Sequence, residues 1–176
     1  GAGWNDPNTL TRKRVYEKNS GWFWNGEKNV EGITWGGCVE SVDEILRHGI
    51  KIPSLKDFES VILIMETSEE IPSADYVYRG YRALGERGIL GKIRGVLAGR
   101  PKAWEFDKQW DAVQKEEYRA AQRKVTLDVI RKYNKLVPVI QNVDFGHTDP
   151  QVPFPFGQKV KLDSKNKKIF VFLHIL

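Results

Sequence analysis

An unbroken run of five apolar residues, VILIM at residues 61–65, constrains the fold of this chain more than any other feature. A strand that is apolar along its whole length must be covered on both faces, as the central strands of parallel sheets are. Further strands are predicted at residues 30–35, 93–98 and 138–143, and segments with helical periodicity lie between the strands. Strands that alternate with helices predict an α/β domain, with a partly parallel sheet flanked by helices.

The helices predicted between these strands have recognisable ends. In the first, apolar residues recur at helical spacing from Val39 onward, and Gly49 provides a C-terminal stop. Ser73 is a suitable N-cap for the second helix. The third and longest helix is predicted over residues 106–133, with an apolar stripe that includes Val113.

The two ends of the chain differ from its middle. Two β-rich segments, residues 159–162 and 169–173, are joined by residues 163–168 of turn composition, which predicts a C-terminal antiparallel hairpin. Residues 1–29 are polar, rich in Asn and Gly, and lack a helical or strand period. We therefore expect an irregular arm or linker there, ahead of a domain at residues 30–176.

Bulk composition disfavours several classes of protein. The formal net charge of +5 is spread among acidic residues without a nucleic-acid-binding motif, so no nucleic-acid partner is expected. No apolar run approaches the roughly 20 residues of a membrane-spanning helix, so no membrane partner is expected. The single cysteine and the absence of a signal-peptide pattern favour the cytoplasm. No residues have metal-ligand spacing, and neither a metal nor another cofactor is expected.

Two residues at the ends of predicted strands are candidates for acid–base chemistry. His147 follows a strand directly, after the turn-forming Gly146, and functional side chains of α/β sheets gather past the carboxyl ends of strands. Glu66 ends the apolar run, where a carboxylate can accept the ring N–H of a histidine and fix its tautomer. Structural roles remain open, with His147 as a packing residue and Glu66 in a solvated acidic loop with Glu69 and Glu70.

A relay of this kind also needs a nucleophile, and the sequence offers no convincing one. No Gly-x-Ser-x-Gly turn occurs. Ser41 is placed inside the first predicted helix, and Cys38 lacks a neighbouring base and is expected to be a small buried apolar residue. The remaining histidines have structural explanations, His48 in the last turn of a helix and His174 in the terminal apolar strand.

Tryptophans are unusually placed in the polar arm, which contains Trp4, Trp22 and Trp24. Aromatic rings in a polar segment can form a stacking surface for a planar ligand such as a nucleobase. They can equally pin the arm onto the domain or onto a missing neighbour. The sequence alone leaves both interpretations open.

Short motifs follow one another along the chain in a characteristic order. They are WxWxG at residues 22–26, GITWGGCVES at 32–41, ILIMETSE at 62–69, IRGVLAGR at 93–100, PV at 138–139, FGHT at 145–148 and PFG at 155–157. Their order and spacing resemble the C-terminal domain of the LD-carboxypeptidase and microcin C immunity protein family of serine peptidases. The resemblance covers nearly all of the chain from about Trp22.

The resemblance implies a fold and a division of catalytic roles. The fold is a swivelling β/β/α-like C-terminal domain, and the catalytic serine belongs to an N-terminal domain of nucleophile-elbow type. Glu66 corresponds to the triad glutamate and His147 to the triad histidine, so the chain is expected to be half of an enzyme and inactive without its own N-terminal domain. A homodimer is implied as well. Residues 101–122 are longer and more charged than the family pattern, which can reshape a dimer contact or the rim of the site.

Two branches of this family differ in substrate. Muramoyl-tetrapeptide LD-carboxypeptidases of murein recycling have Gly-Gly-Asn-Leu and Leu-Glu-Asp where this chain has GGCV and MET. The chain more closely resembles the microcin C immunity branch, which hydrolyses the amide between a C-terminal aspartate and a nucleotide analogue. That branch stacks the purine on tryptophans, for which Trp4, Trp22 and Trp24 are candidates. The expected ligand is a peptidyl- or aminoacyl-nucleotide. The alternatives are a murein peptide as substrate, or a binding module that is not an enzyme.

Overall fold

The structure is a computed structural model and describes residues 7–8, 11–13, 16–105 and 109–172. These residues form seven strands and four helices. The strands are β1 (Phe23–Asn25), β2 (Val30–Cys38), β3 (Val61–Glu66), β4 (Gly95–Gly99), β5 (Val139–Val143), β6 (Lys159–Asp163) and β7 (Lys168–Val171). The helices are α1 (Val39–His48), α2 (Leu55–Phe58), α3 (Ala74–Glu86) and α4 (Ala112–Tyr133).

The strands form one mixed sheet in the order β1-β5-β4-β3-β2-β6-β7. Strands β2, β3, β4 and β5 are parallel to one another. β1 pairs antiparallel with β5 at one edge, and the antiparallel β6–β7 hairpin extends the other edge. The predicted fold class, a partly parallel sheet flanked by helices and closed by a C-terminal hairpin, is confirmed. Because the parallel strands point the same way, their carboxyl ends meet at one edge of the sheet.

The apolar run at residues 61–65 lies in β3, and its side chains alternate between two cores. Val61, Leu63 and Met65 belong to the core shared with α1, α3 and α4. Ile62 and Ile64 face the opposite side, in a second core with residues of β5 and β6. None of the five is more than 6% exposed. Burial on both faces explains why this strand lacks a polar alternation.

Local capping residues set the ends of the first helices. Gly49 ends α1 with a φ of 68°, in the left-handed region that glycine adopts at little cost. Ser73 caps α3, because its hydroxyl accepts a hydrogen bond from the backbone N–H of Tyr76. The predicted C-terminal stop of α1 and N-cap of α3 are both confirmed.

No helix in the described part of the chain is both long enough and apolar enough to cross a membrane.

Helix α4 differs from the prediction in its start and in its buried face. It begins directly after Asp111, because the side chains of Asp111 and Gln114 form a reciprocal capping box with each other's backbone N–H groups. Trp110 therefore lies ahead of the helix, and Phe106 lies outside the described residues. Val113, which was assigned to the apolar stripe, is 66% exposed, so that assignment was wrong.

Two strand segments and the short α2 were not expected from the sequence. β1 falls inside the arm and is only three residues long, too short for a recognisable pattern. β2 continues past residue 35 through Gly36 and Gly37, whose φ values are 141° and 139°, until Cys38 pairs with Glu66. A Cβ on Gly36 would collide with the backbone carbonyl of Ile64, so β2 and β3 can pair this far only without a side chain there.

Replacing Ile130 with alanine is expected to lower the free energy of unfolding by about 2–5 kcal/mol, because this α4 side chain is fully buried. Val113→Ala on the same helix is the matched control and should change it by less than about 0.5 kcal/mol, since Val113 is exposed. Urea unfolding followed by circular dichroism measures both values. Equal losses in the two variants would contradict the assigned buried face of α4.

Candidate functional site

Glu66 and His147 lie together at the carboxyl edge of the parallel strands. Glu66 is the last residue of β3, and His147 is in the loop after β5, with β4 between the two strands. Nδ1 of His147 lies 2.8 Å from Oε2 of Glu66, and the backbone N–H of His147 donates to the same oxygen at 3.2 Å. The structure thus forms a hydrogen-bonded pair from residues 81 positions apart.

Two glycines allow this close approach. Gly99 ends β4, and a Cβ added to it would lie 2.8 Å from Cβ of Glu66 and 2.7 Å from the carbonyl oxygen of Phe145. Gly146 has a φ of 87°, and a Cβ added there would lie 2.6 Å from Cβ of Glu66. Side chains at these positions would overlap with Glu66. The absence of a Cβ at both places lets the loop reach the carboxylate.

A second carboxylate contacts the other ring nitrogen of His147. Oε2 of Glu69 lies 3.0 Å from Nε2, and the Glu69 side chain is 60% exposed, whereas that of Glu66 is 11% exposed. Burial of the imidazole favours its neutral form. The hydrogen bond and charge of Glu66, with the charges of Glu69 and Glu40, outweigh burial and raise the pKa of His147 above its usual value.

Glu40, in the first turn of α1, fixes the loop that carries Glu69. Its carboxylate accepts a hydrogen bond from the Ser68 hydroxyl at 2.7 Å and from the Ser68 backbone N–H at 3.3 Å. It also accepts one from the thiol of Cys38 at 2.7 Å. Burial, together with the hydrogen bond to Glu40 and the charges nearby, raises the pKa of Cys38 to about 12. The thiol is therefore not a nucleophile near neutral pH.

Six of the seven serine hydroxyls form hydrogen bonds to groups other than His147. In the described part of the chain, the ring nitrogens of His147 contact Glu66 and Glu69, and no serine is among the recorded partners of that ring. Ser41 lies on α1 at the wall of an open cleft of about 480 Å³ that also includes Glu44. The hydroxyls that form hydrogen bonds to other groups are those of Ser20, Ser54, Ser60, Ser68, Ser73 and Ser164. The described residues also contain no cluster of His, Cys, Asp and Glu arranged to hold a metal ion.

The structure distinguishes the tryptophans assigned to ligand binding. Trp4 lies outside the described residues. Trp24 is partly buried against the second core, as expected for a residue that pins the arm onto the domain. Trp22 is 39% exposed, and its ring centroid lies 6.4 Å from that of Trp24. Trp22 thus has an accessible ring, and its stacking on a ligand stays a prediction.

Two residues around the pair were not identified from the sequence. Glu69 was considered only as part of a solvated loop, and a carboxylate in a loop has no spacing that marks a contact with His147. Arg100 directly follows the buried strand β4, as Glu66 ends its own strand, and this shared position is the signal that was overlooked. The Arg100 side chain is 1% exposed and contacts Asp144 at 3.0 Å, in the loop that carries His147.

Comparison with known proteins identifies one family for this chain. A family model described as the LD-carboxypeptidase C-terminal domain matches residues 31–162, a range that contains both Glu66 and His147. A protein of Treponema pallidum (strain Nichols) named a carboxypeptidase is 34% identical over 123 residues, which cover 69% of this chain and 32% of that protein. The microcin C7 self-immunity protein MccF of Escherichia coli is 23% identical over 170 residues, which cover 96% of this chain and 44% of MccF. The chain thus spans less than half of the length of these relatives.

Solved structures have the same fold. An MccF-like protein from Streptococcus pneumoniae in complex with AMP matches with a TM-score of 0.77 at 26% identity, over 96% of this chain and 48% of that one. MccF in complex with glutamyl sulfamoyl guanosine matches with a TM-score of 0.71 at 22% identity, over 97% of this chain and 46% of that one.

Replacing Glu69 with glutamine is expected to lower the pKa of His147, because one of the negative charges that stabilise the imidazolium is removed. Titration of the His147 ring signals by NMR measures the change. Glu70→Gln is the matched control, since it removes the adjacent carboxylate, which makes no recorded contact with the ring. An equal shift in both variants would contradict a specific contact between Glu69 and Nε2.

Replacing Gly146 with alanine is expected to break the contact between Glu66 and His147, because the new Cβ would overlap with Glu66. Gly157→Ala is the matched control. Its φ of 70° is also positive, but a Cβ there meets no atom within 4 Å, so only the backbone cost of about 1–2 kcal/mol applies. Thermal unfolding should show a larger loss for Gly146→Ala, and the pKa of His147 should fall in that variant alone. If both glycine variants behave alike, the predicted steric conflict is absent.

Proposed function

The chain belongs to the family of LD-carboxypeptidase C-terminal domains, and we propose that it is the C-terminal half of a serine carboxypeptidase of microcin C immunity type. In this proposal, Glu66 and His147 are two members of a Ser-Glu-His triad, and the serine lies in a preceding domain. Relatives about twice as long as this chain support the existence of such a domain. The chain by itself is then folded and inactive.

The observation that carries this proposal is the 2.8 Å contact between Nδ1 of His147 and Oε2 of Glu66. A carboxylate at Nδ1 keeps the proton on that nitrogen and directs the lone pair of Nε2 outward. It also stabilises the imidazolium that forms when Nε2 accepts a proton. The pair therefore has the arrangement that a general base needs when a serine hydroxyl approaches Nε2.

Catalysis in the proposed enzyme proceeds through two proton transfers at Nε2 of His147. The imidazole first accepts the proton of the serine hydroxyl as the oxygen attacks the amide carbonyl. It then donates that proton to the leaving nitrogen, and in the second half it activates a water that hydrolyses the acyl-enzyme. Glu69 occupies Nε2 in this chain, and the serine replaces that contact when the two domains come together.

We infer a peptidyl- or aminoacyl-nucleotide as the substrate. The structural neighbour from S. pneumoniae was solved in complex with AMP, which supports a nucleotide-binding site in this branch. In this chain, the exposed ring of Trp22 is a surface on which a purine can stack. Its neighbour Trp24 holds the arm in place through the second core.

A murein tetrapeptide is the second candidate substrate. The family description and the 34% identity to the T. pallidum protein named a carboxypeptidase favour it. Both candidates require hydrolysis of an amide, so Glu66 and His147 have the same roles in each. The two candidates differ in whether an aromatic surface for a nucleobase is used.

The test compares the full-length protein with its His147→Ala variant on an aspartyl adenylate analogue with a non-hydrolysable phosphate link, and on a murein tetrapeptide. Mass spectrometry identifies the products. Loss of the base is expected to lower kcat by roughly a thousandfold or more. His48→Ala is the matched control, because His48 is 66% exposed on α1 and pairs only with Glu44 among its recorded contacts.

Cleavage of the adenylate analogue that is lost in His147→Ala and kept in His48→Ala supports the proposal. Cleavage of the tetrapeptide alone transfers the protein to the murein branch. Cleavage of neither substrate refutes the peptidase assignment for both and leaves a binding module. Serine-dependent turnover by the isolated chain would overturn the division of the triad between two domains.

A further inference from the structure

Arg100 lies at the end of β4 with its guanidinium group almost fully buried. Its side chain is 1% exposed, and its three nitrogens contact three different residues, two of them in the loop that carries His147 and one in the arm. Arg100 belongs to a charge network with Glu17, Arg119 and Asp144. None of its recorded contacts reaches Glu66 or the imidazole of His147, so any effect of Arg100 on the candidate pair is indirect.

Two nitrogens of Arg100 hold both ends of the loop that carries His147. Nε donates to Oδ1 of Asp144 at 3.0 Å, and one terminal nitrogen donates to the backbone carbonyl of Asp149 at 3.1 Å. Asp144 and Asp149 lie on either side of His147 in sequence. The backbone N–H of Arg100 also donates to the carbonyl of Val143 at 2.7 Å. The distance between the two ends of the loop is therefore set by one rigid, planar group.

The remaining nitrogen of Arg100 contacts the arm. It lies 3.2 Å from Oε2 of Glu17, and Arg119 of α4 contacts the same oxygen at 2.6 Å. Burial favours the protonated form of Glu17, but Arg119, Lys115 and Arg100 outweigh it and hold the pKa of this carboxyl below its usual value. Asn19 adds a hydrogen bond from the arm to Oδ2 of Asp144 at 2.8 Å.

A buried guanidinium is stable only when its charge is compensated. Asp144 supplies one negative charge from the loop itself, and Glu17 supplies the other from the arm. Removal of Glu17 would leave Arg100 and Arg119 close together with one carboxylate fewer. The charge balance of Arg100 therefore depends on Glu17, a residue 83 positions earlier in the sequence.

We propose that Arg100 is a positioning residue for His147, and that docking of the arm through Glu17 is required to hold the His147 loop against Glu66. The arm is then part of the site and not a passive connection to a preceding domain. The effect on turnover rests on the proposed function, whereas the effect on the position of His147 does not.

The first test uses the chain itself and the Arg100→Lys variant. Lysine keeps the positive charge but cannot contact Asp144, Asp149 and Glu17 in one plane, so the loop is expected to loosen. The NMR resonance of the Nδ1–H proton of His147 should be lost. The pKa of the ring should fall, because the imidazolium loses its contact with Glu66 while the charges of Glu69 and Glu40 remain. Since the net charge is unchanged, this fall reports geometry and not a lost charge.

Arg94→Lys is the matched control. Arg94 precedes β4 at the opposite end of the strand and also donates to backbone carbonyls, those of Glu59 at 2.7 Å and Glu31 at 3.2 Å. Its replacement should leave the resonance and the pKa of His147 unchanged. If Arg100→Lys does not fold, Glu17→Gln decides the question, because it leaves Arg100 in place and should also weaken the Nδ1–H resonance. An unchanged His147 in either folded variant would overturn the proposal.

In the full-length protein, Arg100→Lys is expected to lower kcat by about 10- to 100-fold with little change in KM, since a misplaced base slows the chemical step more than binding. Arg94→Lys should retain the activity of the parent protein. If the full-length protein hydrolyses neither substrate, the proposed function fails while the NMR result still decides the role of Arg100. If activity is present and equal in both arginine variants, the positioning role is refuted and the proposed function stands.

Discussion

The contact between Glu66 and His147 depends on how closely the backbone can approach at one edge of the sheet. The loop after β5 has to cross the end of β4 before it reaches the end of β3. Gly99 leaves the necessary space on β4, and Gly146 supplies the positive φ with which the loop turns toward the carboxylate. Because a Cβ at either glycine would overlap with Glu66, the pair is a consequence of backbone packing and not only of the attraction between its two side chains.

The charged groups that act on the imidazole of His147 are carboxylates. Carboxylates lie on the side of the imidazole, where Glu40, Glu66 and Glu69 favour its protonated form. Burial, together with the hydrogen bond to Glu40 and the charges of Glu66 and Glu40, disfavours a thiolate at Cys38, so the site is suited to proton transfer and not to nucleophilic attack by sulfur. The buried guanidinium of Arg100 lies behind the loop and is compensated by other carboxylates. Arg100 can thus hold the loop in place although the groups that contact the imidazole are Glu66 and Glu69.

Much of this architecture could be predicted from local sequence, and the rest could not for physical reasons. The apolar run at residues 61–65 indicated a buried strand, and position at strand ends singled out Glu66 and His147, since the carboxyl ends of parallel strands meet. The three-residue strand β1 has no pattern of its own and exists through its pairing with β5. That pairing also determines that Trp24 faces the core. The partners of Glu17 are likewise set by tertiary packing, which no local pattern records.

In the proposed enzyme, the arrival of the second domain has to favour the unprotonated form of His147. A general base must present an unprotonated Nε2, whereas this chain holds the imidazole between two carboxylates that favour the imidazolium. The two carboxylates are unequal, because Glu66 is mostly buried and receives two hydrogen bonds from His147, while Glu69 is largely exposed. A hydroxyl that arrives at Nε2 can therefore displace Glu69 at little cost and leave Glu66 in place. That exchange removes one negative neighbour, lowers the pKa of His147, and leaves the remaining carboxylate on the nitrogen where a base needs it.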